Sequence, residues 1–385
     1  MIRSIVLPAA WLFGSCLALR SPAQSLPSLA DFRDGAHHWY DIRDKHNIIN
    51  ALPDRPVYPA DSVQQIADNI IRYQNRNGGW PKNYDMQAIL TAAQKDSLAR
   101  FRDAAPTTFD NGATYAQIAY LAAANDLYPH QIYQQAITKG FHFILAAQYA
   151  NGGWPQFYPL ENNYSRYITF NDDAMLGILL LLQQVAENKP PFDFLAPALR
   201  KQLLRAYEKG IACVLRTQMI DNGIRTAWCQ QYDEIKEQPA WARKFEPPAI
   251  CNNESAGIVL FLMSLPNPSA AVQQSIRDAV NWFRISAIHD TVVKTIDAPV
   301  MVTSFTVSRH DKRVVYQRDA PLIWTRYYEP VTHRPLFCNR DSKYVYSLAE
   351  VERERRDGYG WYTYAPQKVL DLFPPWEEKH PLLAQ

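Results

Sequence analysis

One eight-residue motif occurs twice in this chain and decides its fold. It reads Gln74-Asn75-Arg76-Asn77-Gly78-Gly79-Trp80-Pro81 in the first copy and Gln148-Tyr149-Ala150-Asn151-Gly152-Gly153-Trp154-Pro155 in the second. Each copy follows apolar residues at helical spacing. Asn-Gly-Gly before proline ends a helix, because glycine adopts the left-handed cap conformation without penalty. A weaker third copy lies at 218–228, so the chain is predicted to contain three structural repeats.

A second motif follows each copy and precedes a predicted apolar helix. Its three versions are Thr108-Phe109-Asp110-Asn111-Gly112-Ala113-Thr114, Thr169-Phe170-Asn171-Asp172-Asp173-Ala174-Met175 and Ile250-Cys251-Asn252-Asn253-Glu254-Ser255-Ala256. The helices after them are predicted over 115–125, 174–185 and 257–265. Asp and Asn are favoured at helix N-caps, where the side chain accepts hydrogen bonds from the first turn. N-capping is therefore the simplest interpretation of Asp110 and Asp172.

These repeats predict an all-α fold: an α/α toroid, or (α/α)3 barrel, of three helix hairpins with minor β structure in the C-terminal part. Strand-forming Val, Ile and Thr concentrate over 292–315. In a closed ring the helix N-termini and the Trp loops share one end. Asp110, Asn111, Asn171 and Asp172 are therefore predicted to lie close together.

The N-terminus has the features of a secretory signal peptide. Arg3 precedes an apolar run over 5–19 that is too short to cross a membrane, and Ser21 and Ala23 suit cleavage after residue 23. An alternative is lipid attachment at Cys16. The protein is predicted to be secreted or periplasmic, or else a lipoprotein, with no later membrane span. The predicted division is a signal peptide over 1–23, an N-terminal lead segment over 24–56 and a catalytic domain over 57–385.

The composition restricts the function further. Lys and Arg number 40 against 38 Asp and Glu, and a net charge of +2 argues against a nucleic-acid binder, which would carry a strongly basic face. The 10 Trp, 22 Tyr and 16 Phe are an excess of rings that often face sugars or bases. Phosphate-loop, dinucleotide-binding and nucleophile-elbow strings are absent from the sequence. The cysteines after the leader lack zinc-site spacing, which favours buried free thiols or one incidental disulfide: Cys213, Cys229, Cys251 and Cys338.

The acidic residues of the second motif allow two kinds of chemistry beside N-capping. Two or three carboxylates with an amide oxygen form a hard-oxygen site that suits calcium and is poor for zinc. Paired carboxylates would equally serve as the acid and base of an inverting glycosidase. The acidic residues alone leave both open.

The basic residues favour an acidic substrate. A loop over 238–248 precedes the third version of the second motif and carries Arg243 and Lys244. Arg326 and Arg340 lie between aromatic residues nearer the C-terminus. A guanidinium pairs with a carboxylate through two hydrogen bonds, while aromatic rings stack on the sugar. A neutral glycan would not need these arginines.

Several motifs, in this order, resemble those of the family 10 polysaccharide lyases, which are pectate lyases. The resemblance covers residues 57–366, most of the chain after the leader. The family is known for an α/α toroid of three helix hairpins, which agrees with the fold that the repeats predict. The motifs that carry the resemblance are NGGWPKNY, TFDNGAT, YITFNDDAM, ARKFEPP, NNES, PLIWTRYYE and EVERERRDGYGWY.

The resemblance implies calcium-dependent anti-β-elimination of polygalacturonate to 4,5-unsaturated oligogalacturonates. It implies that Asp110 and Asp172, with Asn111, are calcium ligands. It also implies that Arg243 takes the C5 proton. Residues implied to hold uronate carboxylates, or to line the substrate cleft, are Arg326, Arg340, Lys82, Lys244, Trp80 and Trp154.

Two other functions stay open on the sequence. A toroid glycosidase would use Asp110 and Asp172 as acid and base. A non-catalytic glycan-binding lipoprotein would carry lipid on Cys16. The elimination reaction on pectin is favoured, carried out by a monomer, and the sequence leaves endo or exo action open.

Overall fold

The computed structural model describes residues 26–32, 47–52, 54–188, 190–304 and 307–381. The predicted signal peptide, Cys16 and most of the predicted lead segment lie outside these residues. Within them, no helix combines the length and the apolar character needed to cross a membrane.

Helices account for most of the regular structure in the described residues. The helices in chain order are α1 (Val63–Tyr73), α2 (Ala92–Arg100), α3 (Tyr115–Leu127), α4 (Gln131–Ala147), α5 (Ala174–Ala186), α6 (Pro197–Thr217), α7 (Asn252–Met263), α8 (Ala270–Ile285), α9 (Arg353–Gly358) and α10 (Ala365–Lys379). The helix predicted over 257–265 is α7, which starts earlier, at Asn252. Asn252 and Glu254 therefore lie in its first turn instead of preceding it.

The helices pack as hairpins in two rows. The hairpins are α3 with α4, α5 with α6 and α7 with α8. Helices α3, α5 and α7 contact one another in sequence and are apolar on most faces, whereas α4, α6 and α8 form the neighbouring row with more polar outer faces. Helix α1 packs on α3 and α4, and α10 packs on α7 and α8. The three predicted helix hairpins are therefore confirmed.

Each of the repeated Trp loops folds back on the helix that precedes it, and in the same way. The indole nitrogens of Trp80, Trp154 and Trp228 donate to the last turns of α1, α4 and α6, at the carbonyls of Ile70 (2.7 Å), Ile144 (2.9 Å) and Val214 (2.7 Å). All three rings are completely buried. A buried indole needs a partner for its N–H, and a free carbonyl at a helix end supplies one. The three repeats read from the sequence are confirmed by this shared geometry.

Glycine is required in the Trp loops. Gly78 and Gly152 have φ of 96° and 94°, which is left-handed backbone that side chains rarely adopt. A Cβ atom at either position would also overlap a backbone carbonyl of the neighbouring helix, at Lys139 or Lys209. The predicted helix stops are therefore also points of close approach between elements.

The β structure is more extensive than predicted. The segment predicted over 292–315 forms an antiparallel hairpin, and ten shorter strands pair elsewhere in the described residues. The helix-rich character and the β structure in the C-terminal part are therefore confirmed, whereas the short strands that precede the hairpin were not predicted. The strands are β1 (Ile168–Thr169), β2 (Ile220–Asp221), β3 (Ile224–Arg225), β4 (Gln231–Tyr232), β5 (Ile250–Cys251), β6 (Thr291–Val302), β7 (Val307–Tyr316), β8 (Trp324–Thr325), β9 (Tyr327–Tyr328), β10 (Pro335–Cys338), β11 (Tyr344–Val345) and β12 (Tyr362–Thr363).

A second, smaller core lies under these strands. Strands β11, β10, β9 and β5 form one sheet in that order, so the segment before α7 pairs with residues far along the chain. Phe245, Tyr327, Phe337 and Trp361 pack in this core, beside the larger helical one. Cys213, Cys229, Cys251 and Cys338 are buried and free, so no disulfide links these four.

Candidate active site

Two short 3-10 turns bring the acidic motifs together. Asp110–Gly112 precedes α3, Asn171–Asp173 precedes α5, and the two turns pack against each other. Asn111 and Asp172 have left-handed φ of 52° and 50°. Asn and Asp tolerate this conformation better than other side chains do. The predicted proximity of the acidic motifs is confirmed.

The N-capping interpretation of these carboxylates is wrong. The N-cap residues of α3 and α5 are Thr114 and Asp173, and neither makes a side-chain cap hydrogen bond. Asp110 and Asp172 lie before these caps and therefore remain available for other contacts.

Asp110 is buried and faces a cation and an amide. The ammonium of Lys82 forms an ion pair with it and also lies 5.6 Å from the centre of the Phe157 ring. The Asn111 amide lies 3.0 Å from both carboxylate oxygens, and its nitrogen donates to them when it faces them. In the opposite orientation, the Asn111 amide oxygen would face the two Asp110 carboxylate oxygens. All three atoms are hydrogen-bond acceptors, so this orientation requires a cation bound between them.

Asp172 is protonated more easily than an ordinary carboxyl group. Burial, the charge of Asp110 and, less strongly, that of Glu254 together raise its pKa to about 7, although Arg326 and Arg243 act against them. The Asn171 amide donates to the Asp172 carboxylate. Two buried carboxylates therefore repel each other here and would be relieved by a shared cation.

Arg326 links the acidic turns to the β region. Its guanidinium is 12% exposed and forms an ion pair with Glu254, from the first turn of α7. It also donates to the Asn171 amide oxygen at 3.0 Å and lies 4.9 Å from the centre of the Tyr359 ring. Burial lowers the pKa of Arg326, but Glu254, together with Tyr359, Tyr327 and Cys251, raises it above its ordinary value. Arg326 is therefore a fixed cation beside Asp172.

Arg243 is held by a carboxylate of its own loop. Glu246, 1% exposed, accepts from Arg243 Nε at 2.8 Å, from its backbone N–H at 3.0 Å and from its Nη2. The Tyr359 hydroxyl donates to the same carboxylate at 2.9 Å. Burial lowers the pKa of Arg243, but the hydrogen bond and charge of Glu246 raise it above its ordinary value. The Arg243 side chain is nevertheless 45% exposed and can reach a ligand.

Tyr164 connects Arg243 electrostatically with the acidic turns. Burial raises the pKa of Tyr164, Arg243 lowers it, and Glu246, Asp110 and Asp172 raise it again. All of these charges therefore lie near the Tyr164 phenol.

Arg340, like Arg243, lies beside the Phe245 ring. Its side chain is 30% exposed and pairs with Glu354 through two hydrogen bonds of 2.9 and 3.0 Å. Arg355 pairs with the same carboxylate at 2.6 Å. Burial raises the pKa of Glu354, but the two arginines outweigh it and lower the value to about 2. The guanidiniums of Arg243 and Arg340 lie 5.0 and 5.1 Å from the centre of the Phe245 ring.

Of three residues predicted to line the cleft, two lie in the core and one lies at the surface. Trp80 and Trp154 are completely buried, so their rings cannot stack on a sugar in this structure, and their N–H groups are used within the fold. Lys244 is exposed beside Arg243, and no acidic group of the described residues pairs with it. The structure therefore removes the two Trp rings from the cleft and leaves Lys244 at its surface.

Four residues of the site were missed in the sequence. In the third repeat, Glu254 lies at the position that the acidic residues occupy in the first two repeats. This equivalence could have identified it from the sequence. Glu246 lies three residues after Arg243, a spacing that also suits a local ion pair. Tyr164 and Tyr359 carry no local signal, because their contacts come from distant elements. No three His, Cys, Asp or Glu side chains of the described ranges come together as a ready metal site.

Comparisons with known proteins identify the family of this chain and structures similar to it. The profile of the family described as pectic acid lyase matches residues 74–370. The family 10 polysaccharide lyase from Cellvibrio cellulosa is similar in structure, with a TM-score of 0.69 and 28% identity over 84% of this chain and 96% of that one. A mutant of that lyase in complex with trigalacturonic acid matches with the same TM-score and identity over 97% of its chain. Among curated proteins, none matches the chain significantly.

Proposed function

The chain belongs to the pectic acid lyase family and is a polysaccharide lyase, and we propose that it cleaves polygalacturonate by calcium-assisted anti-β-elimination. The observation that carries this proposal is the buried pair Asp110 and Asp172, set among the cations Lys82, Arg243 and Arg326. Such a site suits a substrate that is itself an anion. We also propose that the two helix rows close into an α/α toroid.

The donor set fits calcium. Asp110 and Asp172 supply carboxylate oxygens, and the Asn111 amide lies where its oxygen would complete the set. Hard oxygen ligands of this kind are those that calcium prefers, with water and substrate oxygens filling its remaining positions. A bound calcium ion would supply Lewis-acid stabilisation of the negative charge that develops on the uronate. It would also remove the repulsion that raises the pKa of Asp172.

The arginines would orient the uronate. The C5 hydrogen lies next to the uronate carboxylate, and it is barely acidic while that carboxylate carries its negative charge. Arg326 is held by Glu254 and donates to Asn171 of the acidic turns, and in our proposal it would bind that carboxylate and stabilise the enolate-like transition state. Arg340, held by Glu354, would bind a neighbouring uronate.

Arg243 is our candidate for the group that removes the C5 proton. Its side chain is 45% exposed, and its charge acts on Tyr164 together with the charges of Asp110 and Asp172. An arginine is an unusual base, because its pKa normally exceeds about 12. Glu246 raises this pKa further, so the role requires either an alkaline medium or substrate contacts that weaken the Arg243–Glu246 pair.

The test is an elimination assay. Polygalacturonate is incubated with the protein in calcium or in EDTA, and the ultraviolet absorbance of the unsaturated product is followed. Absorbance that grows only with calcium supports the proposal. New reducing ends without that absorbance, in EDTA, would indicate a glycosidase that uses Asp110 and Asp172. The variant Arg243→Ala should lose turnover but keep oligogalacturonate binding, and Arg216→Ala is its control, because Arg216 forms a similar pair with Glu237 elsewhere.

We propose further that the protein is exported. The predicted signal peptide would leave a mature chain that begins at residue 24. N-terminal sequencing of the exported protein checks this, and a mature chain beginning at a lipid-modified Cys16 would favour the lipoprotein instead.

A further inference from the structure

We propose that a cavity beside Gly360 binds one additional uronate of the polymer, beyond the site formed by the acidic turns. This hairpin cavity has a volume of about 220 Å³ and lies between β6–β7 and residues 359–364. The proposal rests on the proposed function, since it assigns a second contact to the same class of substrate.

Gly360 joins the hairpin cavity to the candidate active site. Tyr359 contacts Arg326 with its ring and also lines the cavity. Gly360 is exposed, and a Cβ atom there would meet only Arg326 Nη1, at 3.9 Å. The Arg326 guanidinium therefore lies close to the exposed backbone of Gly360, and a polymer held at Arg326 would continue past Gly360 and the Tyr359 ring into the cavity.

The cavity contains a cation that no carboxylate neutralises. The ammonium of Lys312 donates to the backbone carbonyls of Asp357 at 2.7 Å and Tyr359 at 3.5 Å, and no acidic side chain in the described part of the chain pairs with it. Arg356, also in the lining, is neutralised by Asp311 through bonds of 2.7 and 2.8 Å. Charge complementarity at Lys312 therefore favours an anionic sugar over a neutral one.

The walls of the cavity suit a sugar ring. Tyr362 and Tyr364 line it together with apolar Val293 and Ile323, and Tyr364 is 50% exposed. Aromatic rings present an apolar face with a polar edge, which matches the mixed surface of a sugar. The volume is below the roughly 300–1,000 Å³ of pockets for drug-sized ligands. A single galacturonate unit is therefore the occupant that fits.

The variants Lys312→Met and Tyr364→Ala remove the cation and one wall. Tyr364 makes no side-chain cap hydrogen bond to α10, so its loss leaves the helix start intact. Lys294→Met and Tyr316→Ala are matched controls, since both residues are exposed on the same hairpin outside the lining. Rates of unsaturated product are measured for each protein with trigalacturonate and with octagalacturonate.

We expect each cavity variant to lose kcat/KM for octagalacturonate by roughly five- to tenfold, where tenfold corresponds to about 1.4 kcal/mol. The trigalacturonate rate and both controls should stay at the wild-type level. An equal loss on both lengths, or no loss on the octamer, would overturn the proposal.

A binding titration separates this proposal from the proposed function. Octagalacturonate and a neutral octasaccharide are titrated calorimetrically into each protein in EDTA, where no elimination is expected. If the wild-type protein forms no unsaturated product, the proposed function fails, but weaker octagalacturonate binding in both cavity variants would still support the uronate site. Unchanged binding would refute the cavity site, and an equal loss for the neutral octasaccharide would refute its preference for uronate.

Discussion

The variant Glu246→Gln tests the proposed role of Arg243. Glutamine keeps the shape of the buried side chain and can still accept one hydrogen bond from Arg243 and one from Tyr359. It removes the negative charge that holds Arg243 protonated. The pKa of Arg243 should therefore fall, and a larger fraction of Arg243 should be neutral at any given pH.

The size of this effect can be bracketed. Two unit charges about 4 Å apart interact by about 4 kcal/mol at an effective dielectric constant of about 20. Fully exposed ion pairs are worth only about 0.2–1 kcal/mol. Glu246 is buried, but Arg243 is 45% exposed, so an intermediate value of about 1–2 kcal/mol is appropriate. Since one pKa unit is about 1.36 kcal/mol, the pKa of Arg243 should fall by about one unit.

The assay is the pH dependence of kcat for elimination at saturating polygalacturonate and calcium. If Arg243 must lose its proton to act, the rising alkaline limb of log kcat should move to lower pH by about one unit in Glu246→Gln. Glu237→Gln is the control, because Glu237 pairs with Arg216 through two 3.0 Å bonds away from the site. A limb that stays in place, with activity reduced equally at every pH, would show that Glu246 only orients Arg243 and that Arg243 is not the base.

Three further predictions concern the metal site and the fold. Asp110→Ala should raise the calcium concentration for half-maximal activity by about tenfold or more, a loss of about 1.4 kcal/mol; an unchanged requirement would exclude Asp110 as a ligand. In EDTA, Asp172 has a pKa of about 7 in the folded protein and its ordinary pKa of 3.8 in the unfolded chain. Between these pH values only the folded protein keeps the Asp172 proton, so the melting temperature should fall as pH rises through this range. Asp172→Asn should remove this slope, which a melting series from pH 4 to 8 would check. Gly78→Ala should destabilise the fold by at least about 2 kcal/mol more than Gly223→Ala in urea titrations, because both have positive φ but only Gly78 would overlap Lys139; equal losses would contradict the overlap.

The sequence predicted the parts of the fold that repeat locally. The Gln-to-Trp motif encodes a helix stop, a buried indole and a left-handed glycine within a few residues, so two good copies were enough to recognise three hairpins. The proximity of Asp110 and Asp172 followed from the repeat symmetry alone. The sequence did not predict that these carboxylates make no N-cap, because Asp before a helix normally caps it. The left-handed turn at Asp172 moves its carboxylate away from the N-cap position.

The parts that could not be predicted depend on pairing between distant segments. Strand β5 pairs with β9 across most of the third repeat and the hairpin, and such two-residue strands leave no alternating pattern to detect. Tyr359 and Glu246 are likewise 113 residues apart in sequence, so no local pattern predicts their hydrogen bond. The Trp rings show the opposite error: their position in motifs suggested substrate contact, whereas Trp80 and Trp154 use their N–H groups to close the helical core.

Each of the three arginines assigned to the substrate is tied to a glutamate. Arg243 pairs with Glu246, Arg326 with Glu254 and Arg340 with Glu354. A buried carboxylate must be paired, so each glutamate fixes its arginine during folding and the loss of side-chain freedom occurs before the substrate arrives.

The planar guanidinium suits this arrangement, because its five donors allow one edge to bind glutamate while others remain for a uronate. A lysine in the same place would be left with a single point charge already committed to the carboxylate. This pairing also explains how a chain with a net charge of only +2 would present fixed cations to the proposed polyanionic substrate. The charge that attracts the substrate is local and oriented, and its balancing carboxylates lie beneath it in the core.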